Sequence, residues 1–255
     1  MNRIAFEKGE IVDGVAVISG PRADHILNVL HGETGDRLKT CELDGYTGTG
    51  EITAIEGSQV ILRLVHDKPS LQPWCDLILA PPRPRVMKRL LPQLAAMGVG
   101  GIYLVGAKKV EKDFWGATLL KEENYRPLLV DGLMQSGTSI VPRLEMRRNF
   151  RRFVCDELDS AFPGSSGRRI VAHPYAKGLS GSLPEAKPCA GTAGGGRILL
   201  AVGPEGGWTD EEVELLELRG FARYSLGARI LRTDTATIAL LARLGEIYDT
   251  VEQAS

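Results

Sequence analysis

The sequence predicts an α/β protein in two domains: a small β-barrel over residues 1–70 and a mainly parallel α/β domain over residues 71–255. Three observations carry this. Short segments of alternating apolar and polar residues fill the first 68 positions. From Trp74 onward, buried apolar runs alternate with helical patterns, as parallel βαβ units do. Between the two halves, Pro69, Ser70 and Pro73 mark a linker.

Taken in order, Ile11 to Ile18 suggests a strand pair or a bulge. Pro21 to Leu30 reads as a short helix, with Ala23, Ile26, Leu27 and Leu30 at helical spacing. Arg37 to Leu43, Gly50 to Ile55 and Gln59 to Val65 alternate like half-buried strands. Asp44-Gly45 signals a hairpin. In the second half, Leu77 to Ala80 is a buried strand and Pro84 to Met97 a helix ended by Gly98. Gly101 to Val105 is the next strand and Asn124 to Ser136 the next helix. Arg169 to Pro174 reads as a strand and turn, and 178–196 as a mobile loop rich in Gly, Ser, Pro and Ala. Arg197 to Val202 is a strand and Asp210 to Leu218 a helix stopped by Gly220. Phe221 to Leu226 is the last strand, and Thr233 to Tyr248 a long amphipathic helix.

Composition excludes several classes. At 43% hydrophobic and 25% charged, 255 residues make an ordinary globular chain with a sizeable core. Apolar stretches fall short of a membrane span, and the N-terminus lacks a signal peptide's apolar region. Cysteines at 41, 75, 155 and 189 form no C-x-x-C pair, which fits free thiols in a reducing cytoplasm and no metal site. Charge is uneven: residues 1–70 carry net −4, 71–152 net +7 and 153–255 net −4. The middle third is therefore the candidate surface for a polyanion. Its clusters are Arg83, Arg85, Lys88 and Arg89; Lys108, Lys109 and Lys112; and Arg147, Arg148, Arg151 and Arg152.

Two glycine-rich turns concentrate the chemistry. Gly203-Pro204-Glu205-Gly206-Gly207-Trp208 follows the apolar run Ile198 to Val202, and Ser225 to Ala236 follows the last strand. Neither is a G-x-x-x-x-G-K-[ST] or a G-x-G-x-x-G cradle. Thr209 and Glu212 have the spacing of a capping box, with Asp210 and Glu211 between them. Acidic residues there favour the helix through its dipole but repel a phosphate. A ligand neutral or cationic at that end fits better.

Leu200 to Trp208 and Leu226 to Ala236 resemble the two signature segments of RsmE-type 16S rRNA (uracil-N-3) methyltransferases. That family belongs to the SPOUT class, whose C-terminal trefoil knot binds S-adenosylmethionine. Asp24 to Leu30 with Gly35 to Leu38 is similar, more weakly, to the family's PUA-like β-barrel. The resemblance implies an RNA-binding PUA-like domain before a knotted SPOUT domain, with ribosomal RNA or the small ribosomal subunit as partner and a homodimer built partly on Ile238, Leu241 and Leu244. It implies S-adenosylmethionine held by His173, Val202, Gly203, Glu205, Gly206, Gly207, Leu226, Gly227, Ile230, Leu231, Thr235 and Ala236. Arg232, in the RILR segment, is the implied catalytic cation, and Arg83, Arg85, Lys88, Arg89, Lys108 and Lys109 are the implied RNA contacts. The chain departs from the family at Gln93, Ala96, Met134 and Thr138, on the substrate side. A non-catalytic RNA-binding or ribosome-assembly protein on the same fold is the alternative those departures favour, and a nucleotide-binding enzyme of another kind is a third reading.

Overall fold

The computed structural model describes residues 3–162, 168–174 and 196–253. The stretch 178–196 therefore lies, but for Gly196, outside the described residues. Two compact units emerge: Met1–Gln72 with Leu129–Val141, and Pro73–Leu128 with Pro142–Ser255.

The first unit is a five-stranded sheet of β1 (Ile4–Phe6), β2 (Val15–Ile18), β3 (Arg37–Glu42), β4 (Thr47–Glu56) and β5 (Gln59–Lys68). Its order is β1-β3-β4-β5-β2, antiparallel except for β1 beside β3. The Asp44-Gly45 turn joins β3 to β4, with Asp44 at φ +57°. Register shifts at Thr47/Gly48 and Ile52/Ala54 bend the long β4–β5 ribbon. Glycine is required at 48, where a Cβ would stand 1.8 Å from the Val65 carbonyl oxygen. Ile4, Phe6, Ile18, Ile52, Val60 and Leu62 form its buried core. An α-turn, Pro21–Asp24, runs into a π-turn, His25–Val29, and adds Ala23 and Ile26 to that core. Residues 129–141 join this unit through long-range bonds: the Ser139 amide donates to Ser70 Oγ at 2.9 Å and the Val141 amide to Asp44 Oδ1 at 2.8 Å.

The second unit is a six-stranded, wholly parallel sheet. Its strands are β6 (Cys75–Leu79), β7 (Val99–Val105), β8 (Arg143–Arg147), β9 (Arg168–Ala172), β10 (Ile198–Val202) and β11 (Phe221–Tyr224), in the order β11-β9-β10-β6-β7-β8. Every residue of β6 and β10 is buried, as expected for central strands covered on both faces. The chain's four long helices are α1 (Pro84–Ala96), α2 (Glu122–Ser136), of which the residues from Leu129 group with the first unit, α3 (Asp210–Leu218) and α4 (Thr233–Gln253). Pro84 opens α1 where its missing N–H costs nothing, and Gly98 at φ +79° closes it. The Thr209/Glu212 capping box forms at the start of α3.

Two elements of this unit were not anticipated. β8 is an edge strand, and after it Phe150–Arg152, Phe153–Glu157 and Leu158–Ala161 follow one another as helical turns. Phe150, Phe153, Val154 and Leu158 enter the core around Tyr103 and Ala201. Arg147, read as part of a polyanion surface, instead pairs with Glu145 and with Glu157 at 2.9 Å; Arg152 pairs with Glu157 at 3.3 Å. Leu241 and Leu244 are fully buried within the chain, which withdraws them from the apolar face expected to meet a second copy; Ile238 is half-buried. Among the described residues no helix is long and apolar enough to cross a membrane, and no His/Cys/Asp/Glu group could hold a metal ion.

Candidate functional site

The strand order reverses at β9, β10 and β11. From β9 the chain crosses to β10, on the side of β6, and returns to β11 on the far side of β9. Such a reversal opens a crevice at the carboxyl ends of the strands. There lies a cleft of about 470 Å³, bounded by the ends of β9, β10 and β11, both glycine-rich turns and the start of α4. That size suits a small organic ligand.

Each turn has a local cause. In the first, the Gly207 amide closes on the Pro204 carbonyl at 2.8 Å, and Gly207 takes φ +70°. Trp208 turns back so that its indole edge faces Gly203, where a Cβ would sit 3.1 Å from Cδ1 and Nε1. The ring is held by Phe150, centroid to centroid 5.2 Å. The Glu212 carboxylate, closing the capping box, also accepts the Lys108 amide at 2.8 Å. Lys109 Nζ donates to the Gly206 carbonyl at 2.8 Å. The loop after β7 thus holds the turn after β10 through Lys109 and the first turn of α3 through Lys108. In the second turn, Gly227 reaches φ +119° and its amide donates to Ser225 Oγ at 3.2 Å. Thr233, opening α4, donates its hydroxyl to the Gly203 carbonyl at 3.3 Å and joins the two turns.

Of the residues named from the sequence, His173, Val202, Gly203, Glu205, Gly206, Gly207, Leu226, Gly227, Ile230, Leu231 and Ala236 line this one cleft. Thr235 and Arg232 do not. Thr235 is exposed on the first turn of α4, its amide on Asp234 Oδ1 at 2.9 Å, and Arg232 is exposed just ahead of it. Lys109 belongs to the cleft. Arg83 pairs with Glu111 at 3.0 Å, and Arg89 lies 3.9 Å from Asp234; Arg85, Lys88 and Lys108 are exposed. Sequence reasoning missed Trp208, Asp210, Tyr224, Ser225, Thr233 and Leu240 as wall residues. For all but Leu240, which lies one helical turn beyond Ala236 on α4, adjacency to the two turns was the available signal.

The cleft's character follows from this lining. Ile230 is 72% exposed and Leu226 and Leu231 are each 39% exposed, an apolar rim a ligand would cover. Glu205 and Asp210 bring negative charge to the lining, and Lys109 and Arg229 bring positive charge. Burial, and then the nearby Arg223 guanidinium, hold the His173 imidazole below its ordinary pKa of 6.5, so it is neutral at pH 7. The lining thus suits a partly apolar ligand that carries charges of both signs. A pH dependence follows. Protonation of His173, which burial moves to a pH under 6.5, adds positive charge to the cleft wall, so affinity for a cationic ligand falls on acidification through that range. Titration calorimetry with S-adenosylmethionine between pH 7.5 and 5.5 checks this. His173→Asn should flatten the profile, and a wild-type affinity that holds steady or rises toward pH 5.5 removes His173 from the site.

Comparison with known proteins gives concordant results. The sequence pattern of the RNA methyltransferase domain matches residues 69–245. The chain is 28% identical over 247 residues to ribosomal RNA small subunit methyltransferase E of Treponema pallidum, covering 95% of this chain and 90% of that one. To the protein of the same name from Bacillus subtilis it is 25% identical, over 89% and 88% of the two chains. In fold, it is similar to a ribosomal RNA small subunit methyltransferase E from Neisseria gonorrhoeae bound to S-adenosyl methionine, with a TM-score of 0.74, 22% identity and coverage of 97% and 98%.

Proposed function

The chain belongs to the RNA methyltransferase domain family, and on that premise we propose that it is an S-adenosylmethionine-dependent methyltransferase acting on small-subunit ribosomal RNA. The observation that carries the reading is the cleft itself: two glycine turns, an exposed apolar rim and side chains of both charges at the switch point of a parallel sheet. These residues fit a sulfonium. Backbone at Gly203, Gly206 and Gly207 gives close approach, Leu226, Ile230 and Leu231 cover apolar surface, and Glu205 and Asp210 favour the positive charge. When bound, the cofactor supplies a methyl group whose bond to sulfur breaks with the electron pair remaining on sulfur, while a bond forms to the RNA nitrogen and that nitrogen's proton passes to solvent.

The protein's part is positioning, which can supply much of such a rate. Thr233 and Lys109 fix the two turns through the Gly203 and Gly206 carbonyls. We assign the acceptor as ring nitrogen 3 of a uridine, on the strength of the RILR and GPEGG segments. Arg232, exposed beside the apolar rim, is the cation assigned to charge developing on that ring. Passage of α4 through the loop around Gly203 to Trp208, as a knot, is supported by the strand-order reversal and the Thr233–Gly203 bond. The first unit is assigned to RNA binding as a PUA-like barrel, and a cytoplasmic homodimer is the working state.

Titration calorimetry with S-adenosylmethionine and with its demethylated product tests the cofactor. A tritiated-methyl assay on unmethylated small ribosomal subunits tests the reaction. Saturable binding and label in small-subunit RNA support the reading. A folded chain that binds neither compound defeats it, and one that binds both without transferring label supports the non-catalytic alternative.

A further inference from the structure

The lysine and arginine side chains that line the cleft, among the described residues, are Lys109 and Arg229. They differ in how they are held. Arg229 is exposed, and no described group bonds to it. Lys109 reaches the first glycine turn from the loop after β7 and lays its stem across Gly206. A Cβ on Gly206 would stand 3.0 Å from Lys109 Cδ and 3.5 Å from its Cβ, so glycine leaves room for the lysine to lie flat. The amine donates to the Gly206 carbonyl at 2.8 Å. That bond uses one of three N–H groups and fixes where the charge sits. The partner is a neutral carbonyl, and no described carboxylate pairs with this amine. The acidic groups of the lining face elsewhere. The charge of Asp210 acts on His173 and Arg223, at the ends of β9 and β11, and that of Glu205 acts on Arg83. Lys109 comes from the other side of β10 in the strand order. The cleft wall therefore holds one anchored cation whose charge no described anion neutralises.

We infer that Lys109 receives the α-carboxylate of the cofactor's methionine part, and so selects for a ligand that carries one. The inference rests on the methyltransferase reading above and deepens it. S-adenosylmethionine has two positive groups, the sulfonium and the ammonium, and a single negative one, the carboxylate. A charge-assisted bond from an ammonium to a carboxylate is stronger than one to a neutral carbonyl, and the amine has donors left for it while it keeps Gly206. An amine already anchored loses little freedom when the ligand arrives. Among the basic residues that resemblance assigned to RNA, Arg83, Arg85, Lys88, Arg89 and Lys108 line no part of this cleft; Lys109 alone does. Its charge therefore serves the cofactor rather than a phosphate.

The experiment uses the full chain and two ligands, measured by titration calorimetry. One is S-adenosylmethionine; the other is its decarboxylated form, which keeps the sulfonium and the terminal ammonium. Wild-type protein that binds neither overturns the methyltransferase reading and this inference with it. The wild type is expected to prefer S-adenosylmethionine by about 30-fold, the size of a hydrogen bond between charged groups. Lys109→Met should cut that preference to about threefold. Loosening of the first turn, which Lys109 also holds, weakens both compounds alike and cancels in the ratio. Lys109→Arg keeps the charge and should retain a preference of about tenfold or more. Wild type that binds both compounds equally leaves the methyltransferase reading standing and overturns the inference. So does a Lys109→Met variant that loses affinity for both in equal measure, which would make the lysine a prop for the turn. An undiminished preference in Lys109→Met, with weaker binding of small ribosomal subunits on filters, also overturns it and returns Lys109 to the RNA surface.

Discussion

Gly203→Val is expected to weaken S-adenosylmethionine binding by about 100-fold or more, equivalent to about 2.7 kcal/mol. The first carbon added at this position stands 3.1 Å from Trp208 Cδ1, from Trp208 Nε1 and from the Trp208 amide nitrogen. Packed carbons prefer about 3.5–4.0 Å, so the neighbour must retreat. It has little room. Trp208 is 8% exposed and its ring lies against Phe150. The backbone cannot turn away either, because the Gly203 carbonyl holds the Thr233 hydroxyl at the start of α4. The two further methyl groups of valine then enter the cleft wall where the two turns meet. Overpacking of this kind costs about 1–3 kcal/mol in folded stability, so the melting temperature should fall as well. Gly203→Ala, with one carbon and no branch, should lose about tenfold in affinity. Calorimetry on the folded variants decides: full-strength binding by Gly203→Val would remove the first turn from the cofactor site.

The same turn shows where sequence reading reaches and where it stops. The capping box at Thr209 and Glu212 was legible because both partners lie within one helical turn. That the Glu212 carboxylate also takes the Lys108 amide was not, since the two are 104 residues apart. Lys109 is similar. From composition it is one charge in a basic run, and only the fold sets its amine on Gly206, 97 positions away. Buried central strands announced themselves as unbroken apolar runs, but β8 did not. It is an edge strand of sequence Arg-Leu-Glu-Met-Arg, none of it buried, and its charges drew attention to a surface role. The helical turns from Phe150 carried a readable signal, apolar residues at 150, 153, 154 and 158, which the arginines between them obscured. The grouping of residues 129–141 with the first unit depends on Ser139 and Val141 finding partners near positions 70 and 44, a relation no local pattern encodes.

Gly106→Ala is expected to cost about 3 kcal/mol or more of stability, and to weaken cofactor binding in whatever fraction folds. Gly106 leaves the end of β7 with its amide on the Arg147 carbonyl at 3.0 Å. A Cβ there would lie 1.9 Å from the Arg148 carbonyl oxygen, 2.7 Å from its carbon and 3.1 Å from its Cα. All three atoms are backbone, so no side-chain rotation relieves the clash. Either β8 separates from β7, breaking a parallel ladder from Gly101 to Val105, or the loop after β7 moves. If the loop moves, Lys108 and Lys109 move with it, and their bonds to Glu212 of α3 and to the Gly206 carbonyl slacken. Gly116→Ala is the matched control in the same unit, because nothing lies within 4 Å of its added carbon. Its stability should stay within about 0.5 kcal/mol of wild type, as for surface changes generally. Urea unfolding of the three proteins, with calorimetric titration of S-adenosylmethionine alongside, measures both consequences. If Gly106→Ala matches Gly116→Ala in midpoint and affinity, the close approach of β7 to the Arg148 backbone is not what holds this wall of the cleft in place.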